Sequence, residues 1–213
     1  MPFRNIKMEQ MNRQYFYASH LSTAELIRHK AGIGKGNCLE LFAGCGYLGL
    51  ALAQITNLRV YLMDSSTELN RMAEKNIYDC ALEDRVKALH GGHYGRINLP
   101  DASMNLVISE RSVFFWKDKQ KIFREIYRVL APGGVACVGS GFENNDIQRQ
   151  VETKLAEYSP SLGVQLNRRV WQQRIEKIEN KIIEAGISFY ELDYSDHGLW
   201  IVFRKNELQR NVV

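Results

Sequence analysis

Two carboxylates set around a glycine-rich bend are the first place in this chain where residue types and spacing could do chemistry. Residues 37–49 read NCLELFAGCGYLG, with Glu40 near the end of an apolar run and Gly44, Gly46 and Gly49 in the pattern G-x-G-x-x-G. Such glycines let backbone approach a ligand without Cβ clashes, and by themselves they fit a loop cradling a pyrophosphate. Glu40, four residues before Gly44, argues against a phosphate, which its carboxylate would meet as a like charge. An ammonium or sulfonium would be attracted there instead. Asp64 closes the next apolar run, 24 residues after Glu40. A carboxylate at that point can accept hydrogen bonds from two vicinal ribose hydroxyls, or cap the helix that follows, and the two roles are compatible. Together these residues point to a cationic amino-acid nucleoside. The plainer alternative is a tight turn beside a solvated Glu40.

Other constellations carry less. His90-Gly91-Gly92-His93 supplies only two histidines, with no thiol or carboxylate placed beside them, so no metal is expected. Cys38, Cys45, Cys80 and Cys137 form no CxxC pair, and Cys38 and Cys137 sit in apolar runs, as buried thiols of a reducing compartment do. The opening MPFRNIKMEQMNRQ lacks the apolar stretch of a secretion signal, and no run is long enough to span a bilayer. A cytoplasmic location is therefore expected. A net charge of +4 spread over 213 residues is too mild and too scattered to suggest nucleic-acid binding.

The elements that must position these residues alternate between strands and helices. Helices are expected over 20–30, 47–55, 66–79, 117–130, 143–157 and 169–185, and strands over 37–41, 59–63, 85–90, 104–109, 135–140, 187–193 and 198–205. Ser22 with Glu25 three residues on has capping-box spacing, and Ser65 or Ser66 is placed to cap the helix after Asp64. Ala131-Pro132-Gly133-Gly134 stops one helix and Gly186 another. Alternation implies a mainly parallel sheet with crossovers, whereas the last two strands, joined by a short link, must be antiparallel. The fold class is α/β, a Rossmann-like, doubly wound, seven-stranded sheet ending in an antiparallel hairpin.

With these residues in view, the chain resembles the class I S-adenosylmethionine-dependent methyltransferases, especially the small-molecule branch that includes ubiquinone/menaquinone-type C-methyltransferases. CLELFAGCGYLG is similar to their first motif and YLMDSS to their second, and LPDASMNLVISERSVFFWKD with FREIYRVLAPGG is similar to their later run. The resemblance covers about residues 35–140. It implies that Glu40 and the backbone of Phe42, Ala43, Gly44, Cys45 and Gly46 hold the methionine end of the donor. It also implies that Asp64 holds the ribose, that Ser65 borders the adenine, and that Ser109, Glu110 and Arg111 line the methyl-donor pocket. The family usually has Gly-Asp after the third strand; here Gly92-His93 stands there, with Tyr94 next, an aromatic that can stack on adenine or simply fill a loop. A neutral histidine can still accept one hydrogen bond. Asn105 replaces another usual Asp, at a position expected to serve a backbone turn.

Methyl transfer from a sulfonium needs mainly alignment of a nucleophile and exclusion of water, so the lack of a Ser/His/Asp set is no argument against activity. No Asn/Asp-Pro-Pro-Tyr/Phe sequence follows the fourth strand; Ser109-Glu110-Arg111-Ser112-Val113-Phe114-Phe115-Trp116 stands there, against methylation of DNA bases or glutamine. Phe114, Phe115 and Trp116 can wall a planar acceptor or pack in the core. Tyr15 and Tyr17 can contact the donor or staple the first helix, and Trp171, after Arg168 and Arg169, can belong to a lid or a surface helix. The expected organisation is one domain over 1–213. It comprises an N-terminal helical cap (1–34), a cofactor-binding core (35–140), substrate-side helices (141–186) and closing strands (187–205). The expected reaction is methyl transfer to a small-molecule acceptor, with homodimerisation left open. A non-catalytic donor-binding module and an NAD(P)-dependent oxidoreductase are the competing readings.

Overall fold

The structure, a computed structural model, describes residues 17–92, 96–110, 112–141, 168–195 and 198–206. Its elements are α1 (Tyr17–Ala31), β1 (Lys35–Leu41), α2 (Tyr47–Ile55), β2 (Asn57–Asp64), α3 (Thr67–Asp79), β3 (Val86–His90), β4 (Met104–Glu110), a 3₁₀ turn (Val113–Phe115), α4 (Lys119–Val129), β5 (Leu130–Gly141), α5 (Arg168–Glu184), β6 (Tyr190–Ser195) and β7 (Gly198–Arg204). The strands form one seven-stranded sheet in the order β3-β2-β1-β4-β5-β7-β6. Strands β1 to β5 pair in parallel, and β7 runs antiparallel to both β5 and β6. The expected mainly parallel sheet with a closing hairpin is the observed one. The expected helix over 143–157 lies outside the described residues.

Alternation along the strands sorts side chains onto two faces. Cys38 of β1, Val60 and Leu62 of β2 and Leu106 and Ile108 of β4 face α1, α2 and α3; Leu39, Leu41, Met63 and Val107 face α4 and α5. Helix α2 (YLGLALAQI) is apolar almost all round because it lies buried, with α1 packed on it and Leu48 to Ala53 hidden from solvent. Among the described residues no helix is long and apolar enough to cross a membrane.

Several expected boundaries shift. Helix α1 is described from Tyr17, so Ser22 lies inside it and is not its N-cap; Glu25 meets Arg28 at 2.9 Å. Strand β5 starts at Leu130, and the Pro-Gly-Gly segment is absorbed as an irregularity in the strand, not as a separate loop. Gly133 there has φ 75, its N–H donates to Lys205 O, and Lys205 N–H returns to Gly134 O. A Cβ on Gly134 would sit 2.8 Å from Ala131 O and 3.0 Å from Met104 O, which is why the bulge is built from glycine. Strand β6 begins three residues later than expected because Gly186 and Ile187 are spent ending α5. Gly186 has φ 82 and its N–H donates to Ile183 O, while Ile187 N–H donates to Ile182 O: a left-handed C-cap with the buried Ile187 as its apolar stop.

Candidate functional site

The order of the sheet reverses between β1 and β4, and open α/β sheets bind ligands at the carboxyl ends of the strands where that reversal opens a crevice. The register places three carboxylates there. Glu40 pairs with Leu62 on one side and Ile108 on the other, so Asp64 and Glu110 stand two residues further along the neighbouring strands. Two residues is one full alternation, so Glu40, Asp64 and Glu110 share one face of the sheet. Glu40 is 4% exposed and Asp64 8%.

Each carboxylate is held. Glu40 Oε2 accepts the N–H of Gly49, in the first turn of α2, at 2.8 Å. Burial pushes its carboxyl up to about 8; the Gly49 N–H pulls the other way, and the charges of Glu110 and Asp64 add to the rise. Asp64 Oδ2 accepts Gly44 N–H and Oδ1 accepts Ser66 N–H, both at 2.9 Å. The helix cap falls to Ser66, whose Oγ accepts Leu69 N–H at 3.3 Å. Glu110 Oε2 lies 3.3 Å from Nδ1 of His20, whose ring stacks on Tyr47 at 5.8 Å between centroids. Helix α1 thus reaches the same row of carboxylates.

The bend between β1 and α2 has an unusual backbone. Phe42 has φ 61, Gly44 φ 57 and Gly46 φ 79. Left-handed backbone at a bulky residue such as Phe42 is strained, and such strain persists only where the surroundings fix it. Ala43 N–H donates to Met63 O at 3.0 Å, and Asn76 of α3 donates to Cys45 O at 3.1 Å. A Cβ on Gly46 would fall 2.3 Å from Leu62 Cδ1, and one on Gly49 would fall 2.4 Å from Leu62 Cδ2 and 2.6 Å from Glu40 Oε2. A Cβ on Gly44 would meet nothing within 4 Å. Two glycines are therefore required by packing, and the third borders open space.

On the opposite face of the same strand ends runs a chain of hydroxyls. Trp116 Nε1–H donates to Ser112 Oγ at 3.0 Å, Ser112 and Ser109 Oγ are 2.6 Å apart, and Ser109 Oγ–H donates to Leu41 O at 2.6 Å. Because an indole N–H can only donate and a carbonyl can only accept, the Ser112 hydroxyl must donate to Ser109. The chain bridges β4 to β1 across the crevice and fixes the Trp116 ring, which packs 5.9 Å from Phe42 and 5.3 Å from Phe123.

The sequence-predicted residues thus divide. Glu40, the Phe42–Gly46 bend, Asp64, Ser65, Ser109 and Glu110 converge on the strand ends. Trp116 is 5% exposed and packs in the core, whereas Phe115 is 83% exposed. Tyr15, His93, Tyr94 and Arg111 lie outside the described residues, as do the side chains of Tyr17 and Trp171. Asn105 ties strand to strand, accepting Asn37 N–H at 2.9 Å.

Sequence reading gave no role of their own to four contributors: His20, Ser112, Asn70 and Asn76. Asn70 donates to Asp64 O at 2.9 Å, so α3 holds both the bend and the end of β2. The signal was present: Asn70, Ala73, Asn76 and Ile77 form one buried helical stripe, and asparagine on an apolar stripe marks a fixed polar contact.

Residues 39–138 match the sequence profile of a family described as a methyltransferase domain. A crystal structure of a Methanococcus maripaludis protein, assigned to the S-adenosyl-L-methionine-dependent methyltransferases, superposes with a TM-score of 0.89 at 32% identity, covering 98% of this chain and 94% of that one. The dimethylglycine N-methyltransferase of Parasynechococcus marenigrum is 24% identical over 78% of this chain and 70% of its own length. The demethylmenaquinone methyltransferase of a Geobacillus species is 27% identical over 61% of this chain, which spans 56% of that relative. Likeness at 32% identity over nearly the full length of both chains makes this chain a member of the S-adenosylmethionine-dependent methyltransferase family.

Proposed function

We propose that the chain transfers a methyl group from S-adenosylmethionine to a small-molecule acceptor, with the donor lying across the ends of β2, β1 and β4. The observation that carries the donor's placement is the row of Asp64, Glu40 and Glu110 on one face, beside a bend whose Gly44 borders open space. The donor set fits the group. Carboxyl groups in this row suit an ammonium, a sulfonium and ribose hydroxyls better than a pyrophosphate, and a cation beside Glu40 would draw its raised carboxyl toward the ionised form.

Glu40 uses one oxygen on Gly49 and offers the other to the methionine end of the donor, together with the backbone of Phe42 to Gly46. Asp64 has one backbone N–H on each oxygen and keeps a lone pair on each for the ribose, with Ser65 beside it. Ser109 acts through its bridge to Leu41, holding β1 and β4 at a fixed spacing, and Glu110 acts with His20 to close α1 over the site.

When bound, S-adenosylmethionine supplies a methyl carbon already activated by the sulfonium. An acceptor lone pair would take that methyl in line, and the same carboxylates and bend would hold the S-adenosylhomocysteine left behind. The protein's part is alignment and exclusion of water. The relatives' names support a small acceptor: one methylates dimethylglycine and another demethylmenaquinone. Four free cysteines, with Cys38, Cys45 and Cys137 buried, support a cytoplasmic setting.

Calorimetric titration of the purified chain with S-adenosylhomocysteine and with NADH tests the donor, and transfer of a tritiated methyl group to small molecules of a cell extract tests turnover. Binding of S-adenosylhomocysteine alone, with label appearing in the small-molecule fraction, is the expected result. Binding of NADH alone, or label only in macromolecules, overturns it.

A further inference from the structure

A groove of about 1070 Å³ opens between the 3₁₀ turn after β4 and the last two turns of α5. Its apolar wall is Phe114, Phe115 and the buried Ile178, with Phe115 83% exposed. An aromatic ring standing that far into water beside a concavity is the kind of exposed apolar surface that marks a binding site.

The rim is basic. Lys117, Lys119, Lys177 and Lys181 line the groove against two carboxylates, Asp118 and Glu184. Each carboxylate already has a partner other than Lys117 and Lys177. Asp118 caps α4 by accepting Lys121 N–H at 3.0 Å, and Glu184 pairs with Lys181 at 2.5 Å. Lys119 is also engaged, its Nζ donating to Trp116 O at 2.8 Å, which pins the turn. Among the described residues no carboxylate pairs with Lys117 or Lys177. An aromatic face flanked by two uncompensated ammonium groups complements a flat apolar body carrying an anionic group.

The groove also shares a wall with the donor site. Phe114 and Phe115 belong to the same turn as Trp116, whose ring packs on Phe42 of the glycine bend and whose N–H is held by the hydroxyl chain to Leu41. A molecule stacked on Phe115 therefore lies on the far side of one rigid aromatic turn from the donor loop.

We infer that this groove is a binding site for an aromatic carboxylate, stacked on Phe115 and held by Lys117 and Lys177, and set apart from the methyl-transfer centre by the Trp116 turn. The inference goes beyond the proposed function and does not rest on it.

The test is calorimetric titration of the full chain with 2-naphthoate and its neutral counterpart, 2-naphthylmethanol. In the parent, 2-naphthoate should bind about tenfold tighter than the alcohol. K117E/K177E should weaken 2-naphthoate by about tenfold or more and leave the alcohol nearly unchanged. F115S should weaken both ligands, and the charge-matched surface variant K75E/K87E should weaken neither. All five positions lie at the surface, and a cooperative thermal transition like the parent's establishes that each variant folds. Equal 2-naphthoate binding by the parent and K117E/K177E overturns the inference. So does a self-associating parent that F115S makes monomeric, which would assign the ring to a second copy of the chain. S-adenosylhomocysteine binding, measured separately, distinguishes the two readings: its absence removes the proposed function while leaving the groove's selectivity intact.

Discussion

His20 in α1 and Glu110 at the end of β4 are 3.3 Å apart, with side chains 9% and 7% exposed. This contact ties the helix that enters the fold first to the strand beside the crevice, and the stack of His20 on Tyr47 extends the tie to the start of α2. His20→Ala removes both. It should weaken S-adenosylhomocysteine binding several-fold while Glu110→Gln alone weakens it less, and the double variant should be no worse than His20→Ala. A double-mutant cycle read by calorimetry should give a coupling of about 0.5–3 kcal/mol, as for residues in direct contact. Strict additivity would separate the two residues.

Glu40 makes stability fall as pH rises. Its carboxyl sits at about 8 in the folded chain, well above its ordinary value, because burial opposes ionisation and outweighs the Gly49 N–H. The folded chain therefore holds a proton that the unfolded chain has lost between about pH 4.5 and 8, and the corresponding stability is full below that window and gone above it. Glu40→Gln keeps an oxygen for Gly49 and never ionises. Its stability relative to the parent should match near pH 5 and exceed it by up to a few kcal/mol, roughly, near pH 9. Urea denaturation at the two pH values reads this, and a gap independent of pH would contradict it. The same variant should weaken donor binding most above about pH 8, where the parent's Glu40 carboxyl is ionised in the folded chain.

Gly49 and Gly44 separate packing from ligand space. Alanine at Gly49 would press on Leu62, Val60 and Glu40 Oε2 at 2.4, 3.0 and 2.6 Å, so Gly49→Ala should lose about 1–3 kcal/mol of stability and donor binding together. Alanine at Gly44 meets nothing within 4 Å and bears only the strain of φ 57, roughly 1–2 kcal/mol. Gly44→Ala should keep a folded chain at 25 °C yet weaken S-adenosylhomocysteine binding by about tenfold or more, because the methyl would enter the space proposed above for the donor. Unchanged binding would move the donor off the bend.

Arg128 organises the segment before β4. Its guanidinium donates to Ile97 O at 2.7 Å, Leu99 O at 3.0 Å, Asp101 at 2.5 Å and Glu125 at 2.8 Å, and Glu125 in turn accepts Ile97 N–H at 2.9 Å. These hydrogen bonds to Glu125 and Asp101 hold the guanidinium far above any working pH, and Arg128 holds Glu125 below the usual carboxylate range. Lysine cannot reproduce the planar fork. Arg128→Lys should lose about 1–3 kcal/mol, discounted for the partly exposed setting, and should raise amide exchange across residues 97–102. Unchanged exchange there would show that the segment holds itself.

By itself the sequence determined the alternation of strands and helices, the closing hairpin and the candidate donor carboxylates Glu40 and Asp64, because burial periodicity and residue chemistry are local properties. It also marked the bend through its glycines, since only glycine tolerates the left-handed backbone and close approach required at Gly46. Helix ends were read less well where a neighbour decided them: Ser22 lies inside α1 because that helix extends to Tyr17, and the Pro-Gly-Gly segment joins β5 because Lys205 exchanges backbone hydrogen bonds with it. Only the tertiary structure decided which side chains share a face. Glu110 joins Glu40 and Asp64 because parallel register sets it one alternation beyond Ile108, and His20 reaches that row because α1 packs over α2. Phe115 and Trp116, adjacent in the chain, part company for the same reason. One ring fills space between Phe42 and Phe123, the other finds none and stands in water, and that division follows from packing between elements distant in sequence.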